Sequence, residues 1–208
     1  MTHNPRPKAD INAIIFDLGN VFVNVHYDIF FKKIQRVSDP PADEIARVMS
    51  PEKILFDKGQ IPKETFYENI RQKLHLPIGM DTFFDWWNQI FSLDENMVDL
   101  GGKLSKNYQT FLLTNIDEIH YLYLKEKYFS KLSFLRDLML SFEVGYCKPE
   151  RRIYAKCLNK FKVKPERGLF IDDKKENVEA ASEIGFSVLH HLNYEDTLNQ
   201  LRQMGIKM

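Results

Sequence analysis

A short apolar run that ends in an aspartate is the feature that most constrains the fold of this chain. Residues 13–16 read Ala-Ile-Ile-Phe, and Asp17 follows them directly. An unbroken apolar run of this length is typical of a strand buried on both faces of a parallel sheet. A carboxylate at the end of a buried strand is costly unless another group satisfies it, and ligands bind at this edge of open α/β sheets. The sequence therefore indicates Asp17 as a reactive group, with an ordinary turn aspartate as the alternative.

The next part of the chain has the periodicity of helices. Apolar residues recur at helical spacing from residue 27 to about residue 91, with breaks at prolines and glycines near residues 38–41, 50–51, 58–59 and 77–79. A helical block of roughly 65 residues is too long for the connection between a strand and its helix. It predicts an inserted, all-helical cap domain over residues 24–92.

The remainder of the chain alternates between strands and helices. Buried strands are predicted at residues 110–113, 138–142, 169–171 and 186–189, with helices between them. Such alternation predicts an α/β fold with a doubly wound parallel sheet, similar to a Rossmann core. This core would comprise residues 1–23 and 93–208.

Composition limits the classes of partner. The chain of 208 residues carries 29 basic and 29 acidic side chains, so no excess of positive charge points to nucleic acid or an anionic membrane. Its two cysteines, Cys147 and Cys157, are expected to be reduced thiols. No apolar run reaches membrane-span length, and residues 1–10 lack the apolar core of a signal peptide. We expect a cytoplasmic monomer or homodimer that acts on a small molecule.

Polar residues end the predicted strands or lie in loops at the same sheet edge. Carboxylate clusters separated in sequence but joined at one edge need a cation, and all-oxygen ligands suit Mg²⁺. A hydroxyl, an amide and an ammonium group would donate hydrogen bonds to a bound phosphate. An aspartate beside such a site can attack phosphorus and form an acyl phosphate. The residues concerned are Asp17, Thr114, Asn115, Lys148, Asp172 and Asp173.

These residues lie in four short motifs, at residues 16–21, 112–115, 148–150 and 170–173. In their order and content the motifs resemble the haloacid dehalogenase superfamily of phosphatases, and the resemblance covers nearly the whole chain. The helical block between the first two motifs is similar to the helical cap of that family. The first motif, Asp-Leu-Gly-Asn-Val, also resembles that of bacterial hexose-1-phosphate phosphatases.

The resemblance implies a role for each site residue and an aspartyl-phosphate intermediate. Asp17 would be the nucleophile, and its carboxylate would hold Mg²⁺ together with the Gly19 carbonyl and Asp172. Lys148 would bind phosphate and offset the charge of the carboxylates. The resemblance also implies that Thr114 and Asn115 contact the phosphate. It implies supporting roles near the metal for Asp173 and Asn177.

One position departs from the pattern of the family. Most of its phosphatases carry a second aspartate two residues after the nucleophile, as general acid and base, and here that position is Gly19. Asn20 cannot titrate, and His26 is either a substitute acid or a linker residue. Without a general acid, we expect a preference for esters with acidic leaving groups, such as sugar 1-phosphates.

Several alternatives stay open at this point. The chain could be a catalytically silent phosphate-binding regulatory module, or a sugar phosphomutase, although mutases of the superfamily also carry the second aspartate. The loop at residues 57–60 either faces the substrate or only connects two cap helices. Trp86 and Trp87 are predicted to lie in the core of the cap, and Cys147 to be a passive neighbour of Lys148.

Overall fold

The structure is a computed structural model that describes residues 10–208. The prediction for the first ten residues falls almost entirely on residues 1–9, which lie outside the described residues. The strands are β1 (Ala13–Phe16), β2 (Val23–Val25), β3 (Phe91–Leu93), β4 (Gln109–Thr114), β5 (Asp137–Leu140), β6 (Gly168–Asp172) and β7 (Ser187–His190). The α-helices are α1 (Tyr27–Ser38), α2 (Ala42–Asp57), α3 (Lys63–Lys73), α4 (Met80–Asn88), α5 (Glu95–Leu104), α6 (Glu118–Lys127), α7 (Ser141–Val144), α8 (Arg151–Phe161), α9 (Lys175–Ile184) and α10 (Tyr194–Gln203).

The main sheet has five strands in the order β5-β4-β1-β6-β7, and all of its pairs are parallel. Strand β1 lies at its centre, and all four of its residues are buried. Ile14 and Phe16 belong to one apolar cluster, and Ala13 and Ile15 to another, because successive side chains of a strand point to opposite faces. The predicted doubly wound α/β core is confirmed.

Helices α1 to α4 form the predicted helical cap around an apolar cluster of their own. Phe30, Phe66, Phe83 and Trp87 are fully buried in it, and their rings contact one another. The prediction that Trp87 belongs to the cap core is confirmed, and Trp86 packs half-buried against the same cluster. Two short antiparallel strands, β2 and β3, connect the cap to the core.

Two local predictions differ from the structure. No helix break occurs at Pro51, which lies inside α2; the helix continues although proline cannot donate to the carbonyl four residues before it. Phe91, predicted to continue a helical stripe, instead begins β3. Helix α5 includes Gly101, where a Cβ atom would lie 2.6 Å from the Phe134 ring, so this glycine allows close packing. None of the helices in residues 10–208 is both long and apolar enough to cross a bilayer.

Candidate active site

Lys148 lies between two carboxylates at the carboxyl edge of the sheet. Its Nζ atom is 2.8 Å from Asp17 Oδ1 and 2.6 Å from Asp172 Oδ2. Asp17 follows β1, and Asp172 ends the neighbouring strand β6. All three residues are buried, with at most 7% of their surface exposed. The neighbouring strands β1 and β6 thus place Asp17 and Asp172 side by side, and the loop between α7 and α8 brings Lys148 to them.

Asp17 is held firmly by its neighbours. Its backbone N–H donates to the Ile171 carbonyl, and its Oδ1 atom accepts from the Leu18 N–H at 2.7 Å as well as from Lys148. No hydrogen bond from residues 10–208 reaches Oδ2. Burial raises the pKa of Asp17 to about 6, because the opposing effect of Lys148 is only partial and Asp172 adds a further negative charge.

The backbone of Lys148 is fixed by Asn115. The side-chain amide of Asn115 accepts from the Lys148 N–H at 2.8 Å and donates to the Lys148 carbonyl at 2.9 Å. Burial alone would lower the pKa of Lys148, but Asp17 and Asp172 raise it above its usual value. The ammonium group therefore stays charged over the whole physiological pH range.

Asp172 has partners for both carboxylate oxygens. Its Oδ1 atom accepts from the Lys174 N–H and from Asn177 Nδ2, each at 2.9 Å, while Oδ2 accepts from Lys148. Asn177 is itself buried, and its carbonyl accepts from the Tyr154 hydroxyl. Asn177 thus lies where it can orient the loop after β6.

Asp173 joins the site from its exposed side. One oxygen each from Asp17, Asp172 and Asp173 lie within 4.8 Å of one another. Asp173 Oδ2 accepts from Asn20 Nδ2 at 2.9 Å, and Asn20 Oδ1 accepts from the Val25 N–H at 3.0 Å. Asn20 therefore connects the loop after β6 to the turn after β1.

The remaining predicted residues have simpler surroundings. Thr114 is the last residue of β4 and is buried. Gly19 lies in the turn after Asp17, and a Cβ atom there would meet only the Val25 side chain, at 3.5 Å. The His26 ring bonds to the Ser92 hydroxyl beside the strands that enter the cap. Burial raises the pKa of the Cys147 thiol to about 11, so that this thiol stays protonated.

The loop at residues 57–60 contacts the core at three points. The Asp57 carbonyl accepts from the Ser141 hydroxyl at 2.6 Å, and Lys58 Nζ lies 3.0 Å from Glu150 Oε1. Gly59 has a φ of +62° and packs so closely that a Cβ atom would lie 2.4 Å from the carbonyl oxygen of Phe142. This loop therefore does more than connect two cap helices, because it docks the cap on the core.

Three of the residues that organise this region were assigned no structural role from the sequence. Asn20 adopts a φ of +52°, a conformation that asparagine tolerates better than most residues, so its position in a turn is a weak signal. Ser141 interrupts an apolar run, and its hydroxyl accepts from the Ile116 N–H at 2.8 Å. The Glu150 carboxylate accepts from the Cys147 N–H and forms an ion pair with Lys58 of the cap. No local sequence pattern predicts either contact.

The charges of the site favour a divalent cation. Three carboxylates surround one ammonium group, so the site lacks positive charge. Hard cations such as Mg²⁺ prefer oxygen ligands, and three carboxylates with oxygens within 4.8 Å of one another lie here. The residues present thus fit a bound Mg²⁺ and, next to it, an anion.

Two of the proteins that are similar to this chain are named as phosphatases. The chain is 23% identical over 201 residues to D-ribitol-5-phosphate phosphatase of Bacteroides thetaiotaomicron, an alignment that covers 92% of this chain and 97% of the relative. It is 25% identical over 151 residues to a sesquiterpene phosphatase of Aspergillus oryzae, covering 72% of this chain and 76% of the relative. A crystal structure of a haloacid dehalogenase family enzyme of B. thetaiotaomicron in complex with magnesium and inorganic phosphate has the same fold, with a TM-score of 0.74 and 23% identity. The superposition covers 86% of this chain and 93% of that enzyme.

The family follows from a direct match. The model of the haloacid dehalogenase-like hydrolases matches residues 11–185, which is most of the chain. The match includes β1, the cap and all the residues that surround Lys148. The predicted enzyme class is confirmed, and the chain belongs to the haloacid dehalogenase-like hydrolases.

Proposed function

We propose that this hydrolase is a Mg²⁺-dependent phosphatase that acts on a small phosphorylated metabolite through an aspartyl-phosphate intermediate. The observation that carries the proposal is the position of Lys148 between Asp17 and Asp172 at the carboxyl edge of the sheet. A buried nucleophile, a fixed cation and a donor set for Mg²⁺ are the groups that phosphoryl transfer needs. Phosphatase names among the relatives support the same chemistry.

Mg²⁺ would be held by Asp17, Asp172 and the carbonyl of Gly19, with Asp173 supporting the site. When bound, the metal supplies positive charge for the oxygens of the transferring phosphoryl group. Binding of Mg²⁺ would also lower the pKa of Asp17, because a nearby positive charge favours the ionised carboxyl group.

The nucleophilic attack and the stabilisation of charge in this reaction can be assigned to residues of this chain. Asp17 Oδ2 attacks phosphorus, the bond from phosphorus to the ester oxygen breaks, and the departing alkoxide takes a proton from water. A water molecule then attacks the acyl phosphate, which releases inorganic phosphate and restores the carboxylate. Lys148 keeps Asp17 in position and offsets negative charge. Thr114 would donate to a phosphate oxygen through its hydroxyl, and Asn115 would donate through its backbone N–H, because its side-chain amide is bonded to the backbone of Lys148.

The substrate is proposed to be a sugar phosphate or a related polyol phosphate. The sequence favours a hexose 1-phosphate, because Gly19 provides no acid and an anomeric hydroxyl is a better leaving group than a primary alcohol. The ribitol-5-phosphate phosphatase among the relatives is named for a primary ester instead. Both esters therefore belong in the first panel of substrates.

Two further proposals complete this description. We propose residues 24–92 as the cap domain and residues 1–23 with 93–208 as the core, because Val23 pairs with Leu93 where the chain enters and leaves the cap. We also propose a cytoplasmic location, since Cys147 and Cys157 are both free and buried.

The test is phosphate release from p-nitrophenyl phosphate and from a panel of phosphorylated metabolites, with and without Mg²⁺. We expect turnover that requires Mg²⁺ and is stopped by EDTA. Binding of inorganic phosphate without turnover of any ester would instead indicate a regulatory phosphate-binding module. Transfer of the phosphoryl group to a second sugar, without release of phosphate, would indicate a mutase.

A further inference from the structure

A second group of ionisable side chains lies where the cap meets the core. Lys53 and Asp57, both on α2, form an ion pair in which Lys53 Nζ is 2.5 Å from Asp57 Oδ2. Both side chains are largely buried, with 22% and 10% of their surface exposed. Asp117, at the start of α6, faces this pair from the core and is fully buried. The reaction proposed above uses none of these groups.

Asp117 already has all the partners that its charge requires. Its Oδ1 atom accepts from the His120 N–H at 2.8 Å, and its Oδ2 atom lies 2.9 Å from His120 Nδ1 and 3.3 Å from Trp87 Nε1. Burial alone would raise the pKa of Asp117, but His120 lowers it. This carboxylate fastens α6 to the cap tryptophan and has no need of a ligand.

The side chain of Asp57, unlike that of Asp117, has an oxygen without a hydrogen-bond partner in the described part of the chain. Its Oδ1 atom is buried and has no hydrogen-bond partner among residues 10–208. A buried carboxylate oxygen without a donor is costly, and buried polar atoms are rarely left in that condition. Within the described residues, Asp57 Oδ1 thus lacks a hydrogen-bond donor. The ammonium group of Lys53 beside it can donate more than one hydrogen bond.

The pair lies above the same sheet edge as the catalytic groups. The Asp57 carbonyl accepts from Ser141, the residue that directly follows β5. The Ser141 hydroxyl also accepts from Ile116, which is adjacent to the Asn115 that fixes Lys148. Asp57 is likewise close enough for its charge to act on the thiol of Cys147, next to Lys148. Asp57 is thus connected by a few contacts to the segment that fixes Lys148.

We propose that Asp57 and Lys53 bind hydroxyl groups in the non-phosphate part of the substrate, and so select polyhydroxylated phosphate esters. Asp57 Oδ1 accepts a hydrogen bond from one hydroxyl, and the ammonium group of Lys53 donates to an oxygen beside it. Selection of this kind is strong because an ester without hydroxyls leaves the buried oxygen unpaired. The inference rests on the proposed phosphatase function.

The experiment compares two classes of ester in the wild type and in Asp57→Asn. The first class is ribitol 5-phosphate and glucose 1-phosphate, and the second is p-nitrophenyl phosphate and pentyl phosphate. Asparagine keeps the shape of the side chain but removes its charge. We expect KM for the polyol esters to rise about tenfold more than KM for the plain esters, with a smaller change in kcat, as for loss of a charged hydrogen bond. Lys53→Met is expected to show the same pattern.

Asp43→Asn is the matched control, because Asp43 is an exposed aspartate on the same helix. It should change neither class of ester by more than about twofold. Equal losses on both classes in Asp57→Asn, or no loss on either, would show that the pair only supports the fold. If Asp57→Asn does not fold, the wild type still decides, since equal kcat/KM for ribitol 5-phosphate and pentyl phosphate would overturn the inference.

Failure of the proposed function would look different. A wild type that releases phosphate from none of these esters, p-nitrophenyl phosphate included, would refute the phosphatase proposal, and the substrate inference would be wrong with it. A wild type that hydrolyses p-nitrophenyl phosphate but does not distinguish the two classes would refute only the role of Asp57 and Lys53.

Discussion

The ammonium group of Lys148 lies 2.8 Å from Oδ1 of Asp17, and this contact leaves the second oxygen of the carboxylate available for chemistry. The same ammonium group also contacts Asp172 at 2.6 Å. Lys148 therefore bridges the two carboxylates, offsets their mutual repulsion and fixes the direction of the nucleophile.

The first prediction concerns the nucleophile. Asp17→Asn should lower turnover by at least about a thousandfold, because an amide cannot form the acyl phosphate. The fold should remain, since burial already disfavours the charged form of Asp17. Phosphate release and thermal unfolding test both statements. Turnover near the wild-type rate in a variant with unchanged melting behaviour would exclude covalent catalysis by Asp17.

The second prediction concerns the stability of the metal-free protein as a function of pH. The pKa of Asp17 is about 6 in the folded protein and near 3.8 in the unfolded chain, so between these values the folded state binds more protons. The contribution of Asp17 to the free energy of unfolding is therefore highest below about pH 4 and decreases as the pH rises to about 6. Urea unfolding in EDTA at several pH values should show a smaller decrease for Asp17→Asn than for the wild type. Identical pH profiles would contradict the raised pKa.

The third prediction separates the carboxylates after β6. Asp172→Asn should abolish activation by Mg²⁺, because the proposed metal site loses the charge of one of its carboxylate ligands. Asp173→Asn should weaken the apparent affinity for Mg²⁺ by about 10- to 100-fold, as expected for a residue that supports a metal site. Activity measured against Mg²⁺ concentration tests this assignment. The opposite order of effects would make Asp173 the direct ligand.

The fourth prediction concerns the docking of the cap. Gly59→Ala places a methyl group 2.4 Å from the Phe142 carbonyl oxygen at a φ of +62°, so it should destabilise the protein. Gly145→Ala is the control, because Gly145 has a φ of +78° but no atom within 4 Å of the added methyl group. The control should cost about 1 kcal/mol from backbone strain, and Gly59→Ala should cost clearly more. Urea unfolding measures both values, and equal costs would mean that the contact with Phe142 adjusts freely.

The fifth prediction follows from the missing acid. The rate of the wild type should depend steeply on the pKa of the leaving group across a series of phosphate esters, because no side chain at position 19 protonates the alkoxide. Gly19→Asp should flatten this dependence, since a Cβ atom at this position meets only the Val25 side chain, at 3.5 Å, and the backbone there needs no positive φ. A shallow dependence in the wild type would indicate that another group supplies the proton.

The positions of the charged site residues could be predicted because they depend on one regular feature. Parallel strands place all their carboxyl ends at one edge, so Asp17 and Asp172 meet there, and the loop that carries Lys148 lies at the same edge. The helical cap was also predictable, because its apolar stripes repeat over four helices. The specific roles given to these residues stay predictions.

The hydrogen bonds around these residues could not be predicted, because they depend on contacts distant in sequence. Asn115 was expected to face a phosphate, yet its amide bonds to the backbone of Lys148, 33 residues away. The contact between Asp57 and Ser141 joins residues that are 84 positions apart. The break expected at Pro51 did not occur, because packing of Met49 and Phe56 in the cap outweighs the lost hydrogen bond.

The pairing of strands β2 and β3 also affects how the cap can change during evolution. Val23 and Leu93 lie directly opposite each other in the two strands, so the chain leaves the core and returns to it only about 5 Å apart. An insertion whose two ends lie this close can be lengthened, shortened or exchanged while the register of the five-stranded sheet stays unchanged. Recognition of the substrate can therefore diversify in one gene segment while the catalytic centre is inherited intact.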